Sequence, residues 1–321
     1  MGLHSHSRNK KCLRVVAIFL CISFIGAFYF LNKGVEVRKF GRKDALENKP
    51  SLNMLDGCYH VYIDVGTNIG VQIRKLFEPE KYPKAYVHPI FDSKFGNITE
   101  RLKFTPDGGN TVCAVGFEPN PHHTSYLKEV ESSYSKCGWR VKIMTETAAS
   151  DKNGRTTFYS DESYKNMEWG GGVLPPHINS IAVEQKDNTA MQDFTNVALV
   201  RLSDFLKHTV ATRKLPFVPP SNSISPNVVM KMDIEGSEVD VIPDLLFTGG
   251  LQFINNIVVE WHERLEKIIN RRNAQQQLQL VIQTLSKYSE TMKNHGAKFD
   301  FNLINLDDET YYTSKFDLPK C

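Results

Sequence analysis

A chain of 321 residues with 41% hydrophobic and 23% charged residues has the make-up of an ordinary folded protein, which excludes general disorder and leaves room for one large α/β domain with an appendage. The formal net charge is only +3, with much of the excess in the first fifty residues, so no basic stripe marks a nucleic-acid surface.

Taken from the N-terminus, residues 1–14 are a short basic tail, with Arg8, Lys10, Lys11 and Arg14 leading into an uncharged apolar run over 15–31. That run is just long enough to cross the ~30 Å hydrocarbon layer of a membrane. The expectation is an uncleaved transmembrane anchor. A cleaved signal peptide is the rival, although the run is long for one and aromatic residues 28–30 directly follow the only small pair, Gly26-Ala27. A buried core helix suits an isolated run ahead of a polar linker less well. Basic residues flank both ends, so charge does not set the orientation. The cysteines and a sequon bear on it instead. Cys58, Cys113, Cys137 and Cys321 lie beyond the anchor in an even number that suits two disulfides, and Asn97-Ile98-Thr99 is an N-glycosylation acceptor sequence. Together they favour a type II membrane protein of the Golgi or endoplasmic reticulum with its C-terminal domain in the lumen.

Residues 32–56 are polar and aperiodic and read as a stem. The domain then occupies 57–321, with strands predicted at 59–64, 111–117, 139–145, 227–233, 254–260, 298–305 and 310–316, and helices at 68–77, 121–135, 202–210, 236–247 and 263–294. This alternation predicts a doubly wound, mostly parallel seven-stranded sheet, a Rossmann-like α/β fold, whose last two strands pair antiparallel because little chain connects them. Residues 79–110 read as an inserted surface excursion carrying the sequon. Residues 160–196, with Trp169 beside three glycines, read as a lid. Cys113 and Cys137 fall at or before the starts of neighbouring strands, so the expected disulfides join Cys113 to Cys137 and Cys58 to Cys321.

The chemistry-bearing residues sit at strand ends. Asp64-Val65-Gly66-Thr67-Asn68-Ile69-Gly70 closes the first strand, and its two glycines permit a tight turn that a ligand can approach. The spacing lacks the middle glycine of the dinucleotide-binding fingerprint, which argues against a dehydrogenase. A carboxylate here would also repel a pyrophosphate while suiting a positively charged ligand. Glu118, in Gly116-Phe117-Glu118-Pro119-Asn120-Pro121, stands at the end of the second strand, where an acid accepts hydrogen bonds from a ribose. Asp233 ends the fourth strand in Lys231-Met232-Asp233-Ile234-Glu235-Gly236-Ser237-Glu238, with Glu235 entering the next helix. With strand order 3-2-1-4-5 it neighbours Gly66 at the switch point. Glu260 and His262 end the fifth strand, and His262 is a possible general base. Each residue has a plain structural reading as well, as a helix-capping acid or a packed histidine. Acids at four strand ends on one edge are harder to explain that way.

Read in order, DVGTNIG, GFEPNP, the segment 147–159, VRLSDFL, KMDIEGSEVDVI and VVEWH resemble the FkbM-type methyltransferase family over about residues 59–262, with KMDIEGSE the most specific part. The resemblance implies a class I methyltransferase fold and S-adenosylmethionine as cofactor. It implies that Asp64, Gly66, Asn68 and Gly70 frame the methionine end, that Glu118 holds the ribose, that Ala148 or Ala149 lies by the adenine, and that Asp233 stands near the transferred methyl. Asp233, Glu235 and His262 are then the candidate catalytic residues, with a hydroxyl of a glycan or other secretory-pathway molecule as the expected acceptor. Asp233, Glu235 and Glu260 would also suit a divalent metal such as Mg²⁺ or Ca²⁺. Two rival functions remain open at this point. One is a non-catalytic binding or adaptor protein that kept the fold. The other is a type II glycosyltransferase, although Asp151-Lys152-Asn153 and Asp233-Ile234-Glu235 only approximate the D-x-D motif of such enzymes.

Overall fold

Strand β1 (Cys58–Val65) is buried along its whole length, the signature of a central strand covered on both faces. The computed structural model describes residues 53–161, 171–174, 191–219, 224–260, 274–296, 299–304 and 317–320. The chain divides between Ser51 and Leu52, and all the described residues lie in the second unit. The expected anchor over 15–31 and nearly all of the expected stem lie outside the described residues. Among those described, no helix is long and apolar enough to cross a membrane.

The main sheet joins β1 to β2 (Asn110–Glu118), β3 (Val141–Thr145), β7 (Val228–Met232), β8 (Asn256–Glu260) and β9 (Asp300–Ile304) in the order β3-β2-β1-β7-β8-β9. Every pairing in it is parallel. Side chains alternate between two cores, as the period of two in a strand requires. Val61, Ile63, Val65, Cys113, Val115 and Phe117 face one core and Tyr62, Val112 and Ala114 the other. Helices α1 (Val71–Phe77), α2 (His88–Phe95) and α4 (Thr124–Lys136) cover the second core. Helices α5 (Leu202–Phe205, continued by a π-helical turn over Leu206–Val210), α6 (Glu238–Phe247) and α7 (Ala274–Asn294) cover the first. This is a doubly wound α/β fold, and its strand order reverses between β1 and β7. Open sheets of this kind bind ligands at such a switch point, beyond the carboxyl ends of the strands.

Four expectations need correction or completion. The main sheet has six strands among the described residues, and the seventh candidate, 310–316, lies outside them with its expected antiparallel pairing. A second sheet of three strands, β4 (Thr147–Ser150), β5 (Gly154–Asp161) and β6 (Met191–Arg201), ordered β4-β6-β5, was not foreseen. Residues 79–110 are more than a surface excursion. They form a 3₁₀ turn (Pro79–Lys81), α2 and the short α3 (Ile98–Arg101). Phe91 and Phe95, one helical turn apart, drive α2 into the sheet, where Phe91 meets Tyr62 edge-on at 5.1 Å between ring centres. Asn97 is exposed at the N-cap of α3 and completes a capping box with Glu100.

The cysteines pair differently from the expectation. Cys58 bonds to Cys113, joining β1 to β2. Cys137 is disulfide-bonded too, but neither Cys113 with Cys137 nor Cys58 with Cys321 is the pairing. The reason is which face each residue occupies. Cys58 and Cys113 point into the same core, whereas Cys137 caps the C-terminus of α4, on the other side of the sheet.

Candidate active site

Three chain segments are knitted together where β1, β2 and β7 end. Gly66 N–H and Thr67 N–H both donate to the Phe117 carbonyl, at 3.1 and 3.0 Å, and Asp233 N–H donates to the Val65 carbonyl at 2.9 Å. The approach is close enough to demand glycine at 66. Its φ is +88°, and a Cβ there would lie 1.7 Å from the Asp233 carbonyl oxygen. Past this turn the chain passes through Asn68, held in the left-handed region at φ 48°, and reaches Gly70, the N-cap of α1.

Glu118 stands at the centre of the arrangement. Its Oε2 accepts from Asn68 N–H at 2.6 Å and its Oε1 from Asn120 N–H at 2.8 Å, so the carboxyl ties the β1 turn to the β2 turn. Burial raises its pKa from the usual 4.5 to about 8. The negative charges of Asp64 and Asp233 push the same way, and together these outweigh the two N–H donors, which pull it down. Asp64 is completely buried at the end of β1, so it forms part of the floor beneath the site and not of its wall. Asp233 lies across from it, with Oδ2 2.6 Å from the ammonium of Lys231, itself 2% exposed. Glu235 follows at φ 52°, a left-handed conformation uncommon for a residue with a side chain.

These residues border an open cleft. Of the residues singled out in the sequence, Gly66, Asn68, Glu118, Ala148, Ala149, Asp233 and Glu235 line it. The second sheet supplies the far wall. Ala148 and Ala149 come from β4, and Phe158 from β5. Part of the expected lid is also there. Gly172 pairs with Tyr159 through two backbone hydrogen bonds of 2.8 and 3.0 Å, and a Cβ on Gly171 would lie 2.5 Å from the Phe158 ring. The rest of 160–196 that would carry the lid, 162–170 and 175–190, is outside the described residues.

Sequence reasoning missed Phe117, Phe158 and His123 as lining residues. His123 was legible as the second histidine after Pro121, in the turn where Asn120 Oδ1 accepts from His122 N–H at 3.0 Å. Phe158 could not be read until the small sheet was known. In the other direction, Gly70 is outside the cleft wall and contributes only the helix start, packed toward Leu127. Glu260 ends β8, 7% exposed, and does not line the cleft. The expected metal set of Asp233, Glu235 and Glu260 is therefore not brought together. Among the described residues, no group of three or more His, Cys, Asp or Glu side chains could hold a metal. His262 lies outside the described residues.

A site with Asp64, Glu118, Asp233 and Glu235 around it and Lys231 as the neighbouring cation is complementary to a positively charged ligand and hostile to a pyrophosphate. The alanines and Phe158 opposite offer an apolar slot for a flat ring. These features fit S-adenosylmethionine, whose sulfonium and ammonium groups are positive and whose adenine is planar.

The comparisons with known proteins agree with this geometry. Residues 64–296 match the family model described as the methyltransferase FkbM domain, most of the chain, and the chain belongs to that family. No curated protein and no solved structure matches it.

Proposed function

We propose that this FkbM-family methyltransferase uses S-adenosylmethionine to methylate a hydroxyl oxygen of a glycan or another molecule of the secretory pathway. The observation that carries the reading is the convergence of Glu118, Asp64 and Asp233 about the Gly66 turn, where burial first and the two neighbouring acids after it raise the Glu118 carboxyl to a pKa of about 8. Acids gathered this closely favour the arrival of a cation.

When bound, the cofactor supplies a methyl group activated by a positively charged sulfur. The chain's own residues would bind, orient and deprotonate. Glu118 would accept from the ribose hydroxyls with the lone pairs its two backbone donors leave over. Ala148, Ala149 and Phe158 would pack against the adenine from one wall, and the carboxylates of Asp64 and Asp233 would set the negative potential at the other end. An acceptor hydroxyl must lose its proton as it is methylated. Asp233, held by Lys231 at 2.6 Å, would be the positioning and electrostatic group, with Glu235 or His262 as the candidate proton acceptor. Much of the rate would come from alignment, since methyl transfer depends on near-attack geometry.

The luminal, type II placement draws support from disulfides at Cys58, Cys113 and Cys137, which suit an oxidising compartment. The exposed N-cap residue Asn97 uses its side-chain oxygen in the capping box, which leaves its amide nitrogen for a glycan.

Calorimetry with S-adenosylmethionine and with its demethylated product tests the cofactor. Micromolar binding of both is expected, and no binding of either would leave the non-catalytic adaptor reading in place. With a glycan extract and labelled cofactor, Asp233→Asn should lower transfer by about 100-fold or more. Undiminished transfer would remove Asp233 from the machinery.

A further inference from the structure

We infer that the sheet edge opposite the cleft is a membrane-docking face, in which the exposed apolar loop 215–219 seats in the lipid surface to which an N-terminal anchor would tie the chain. The inference rests on the reading of 15–31 as that anchor and goes beyond it, assigning a second contact to the folded domain.

Three turns meet at the amino ends of the strands. Residues 53–57 lead into β1, residues 104–109 lead into β2, and residues 213–219 follow the π turn after α5. They expose a cluster of large apolar side chains, with Phe217 91% exposed, Phe104 52%, Leu215 46%, Met54 40% and Val218 39%. A single exposed apolar residue needs no explanation, but several gathered on one rim do.

Backbone hydrogen bonds hold the cluster in place. Phe217 N–H donates to Asp107 Oδ2 at 2.6 Å and Lys214 N–H to Asp56 Oδ1 at 2.7 Å, while Gly57 N–H donates to the Lys214 carbonyl at 2.7 Å. Gly109 lies so close to the loop that a Cβ would come within 3.1 Å of Pro216, and one on Gly138 would stand 2.7 Å from the Phe104 ring. The fold thus fixes the loop with its apolar side chains outward, and Pro216 and Pro219 within it stiffen it further.

Charge and connectivity indicate a lipid bilayer as the occupant. Lys103, Arg140 and Lys214 are exposed around the cluster. The two acids beside them, Asp56 and Asp107, already accept backbone N–H groups. An apolar tip whose three flanking cations outnumber its two carboxylates suits an interface of acyl chains beneath anionic headgroups. Met54 belongs to this face, and only residues 32–53 separate it from the apolar run 15–31. This face is therefore the part of the described domain that follows the apolar run most closely along the chain. The cleft lies at the other end of the strands. The eight residues of β1 set the two apart by about 25 Å, which directs the cleft to acceptors in the aqueous lumen and away from lipid headgroups.

The test uses the full chain carrying Phe217→Trp, mixed with vesicles of phosphatidylcholine, with and without phosphatidylserine, whose acyl chains are brominated. The parent chain gives the background of Trp139, Trp169 and Trp261. The added indole should lose about half its emission on bromination, more so with phosphatidylserine, and should recover it when Leu215→Asp and Val218→Asp are added. Flotation after an alkaline wash reads the anchor separately. A chain that floats while the added indole stays unquenched overturns the docking face and keeps the anchor. Quenching in a chain that washes off keeps the docking face and overturns the anchor. Shielding of the added indole without lipid, rising with protein concentration, would mean that a second copy covers the patch, and that outcome also overturns the inference.

Discussion

The two edges of the six-stranded sheet are built from the same strands and solved differently. At the cleft edge the turns after β1, β3 and β7 place Asn68, Glu146 and Glu235 at positive φ although none is glycine, in addition to Gly66, Gly70 and Gly236. At the opposite edge the left-handed positions are filled by Gly57, Gly108 and Gly138. Glycine adopts that conformation without strain, whereas each residue with a side chain there costs about 1–3 kcal/mol and persists only where its surroundings enforce it. The contrast teaches where the fold tolerates strain. The cleft edge keeps polar side chains in unfavourable backbone positions and crowds acids together, while the far edge relaxes its backbone and presents apolar tips.

The sharpest way to break this comparison is Gly66→Ala. A Cβ 1.7 Å from the Asp233 carbonyl cannot be accommodated without separating β1 from β7. The variant should lose about 3 kcal/mol or more of stability, read by urea unfolding, together with all measurable cofactor binding. A variant that binds normally would mean that the two turns are not the cofactor's frame.

The charge state of Glu118 offers a subtler test. Its pKa of about 8 in the fold lies above the usual 4.5, so the folded protein keeps a proton that the unfolded chain releases. The stability this contributes is complete below about pH 4.5 and is lost as pH rises through about 8. Cofactor binding should show the opposite trend, because a cation favours the ionised carboxyl. Affinity should climb with pH, by at most about tenfold per unit, and level off above about 8. Glu118→Gln should flatten that climb and weaken binding by roughly 10- to 100-fold. Calorimetry from about pH 6 to 9 checks both, and a flat profile in the parent protein would mean that Glu118 is ionised throughout.

The smallest effect is expected at the far edge. Phe217→Ser, at a side chain 91% exposed, should change stability by less than about 0.5 kcal/mol and leave cofactor affinity untouched. A large loss in either quantity would show that the apolar rim is coupled to the fold or the cleft, and the division between the edges would fail.

How much of this was legible in the sequence follows from the range of the interactions involved. Runs such as 59–64 and 227–233 declare themselves as strands, because covered strands are apolar along their length. The glycines of the β1 turn and the acids that close each strand are local too, so Gly66, Asn68, Glu118, Asp233 and Glu235 could be named in advance, whereas Ala148 and Ala149 came only from the family resemblance. The second sheet escaped notice because β4 is four residues long and pairs with β6 across a long stretch of chain. The packing of 79–110 escaped because Phe91 and Phe95 sit among polar neighbours that disguise a buried stripe.

By itself, then, the sequence determined the alternation of strands and helices and the glycine turn with acids at the strand ends, since each depends on residues near one another along the chain. Tertiary structure alone decided that Cys58 bonds Cys113, that Asp64 lies beneath the cleft while Glu118 lines it, that Glu260 stays out of it, and that the Glu118 carboxyl holds its proton up to about pH 8. Pairing, burial and charge depend on which face of a strand meets which neighbour, and that is settled only when distant segments pack.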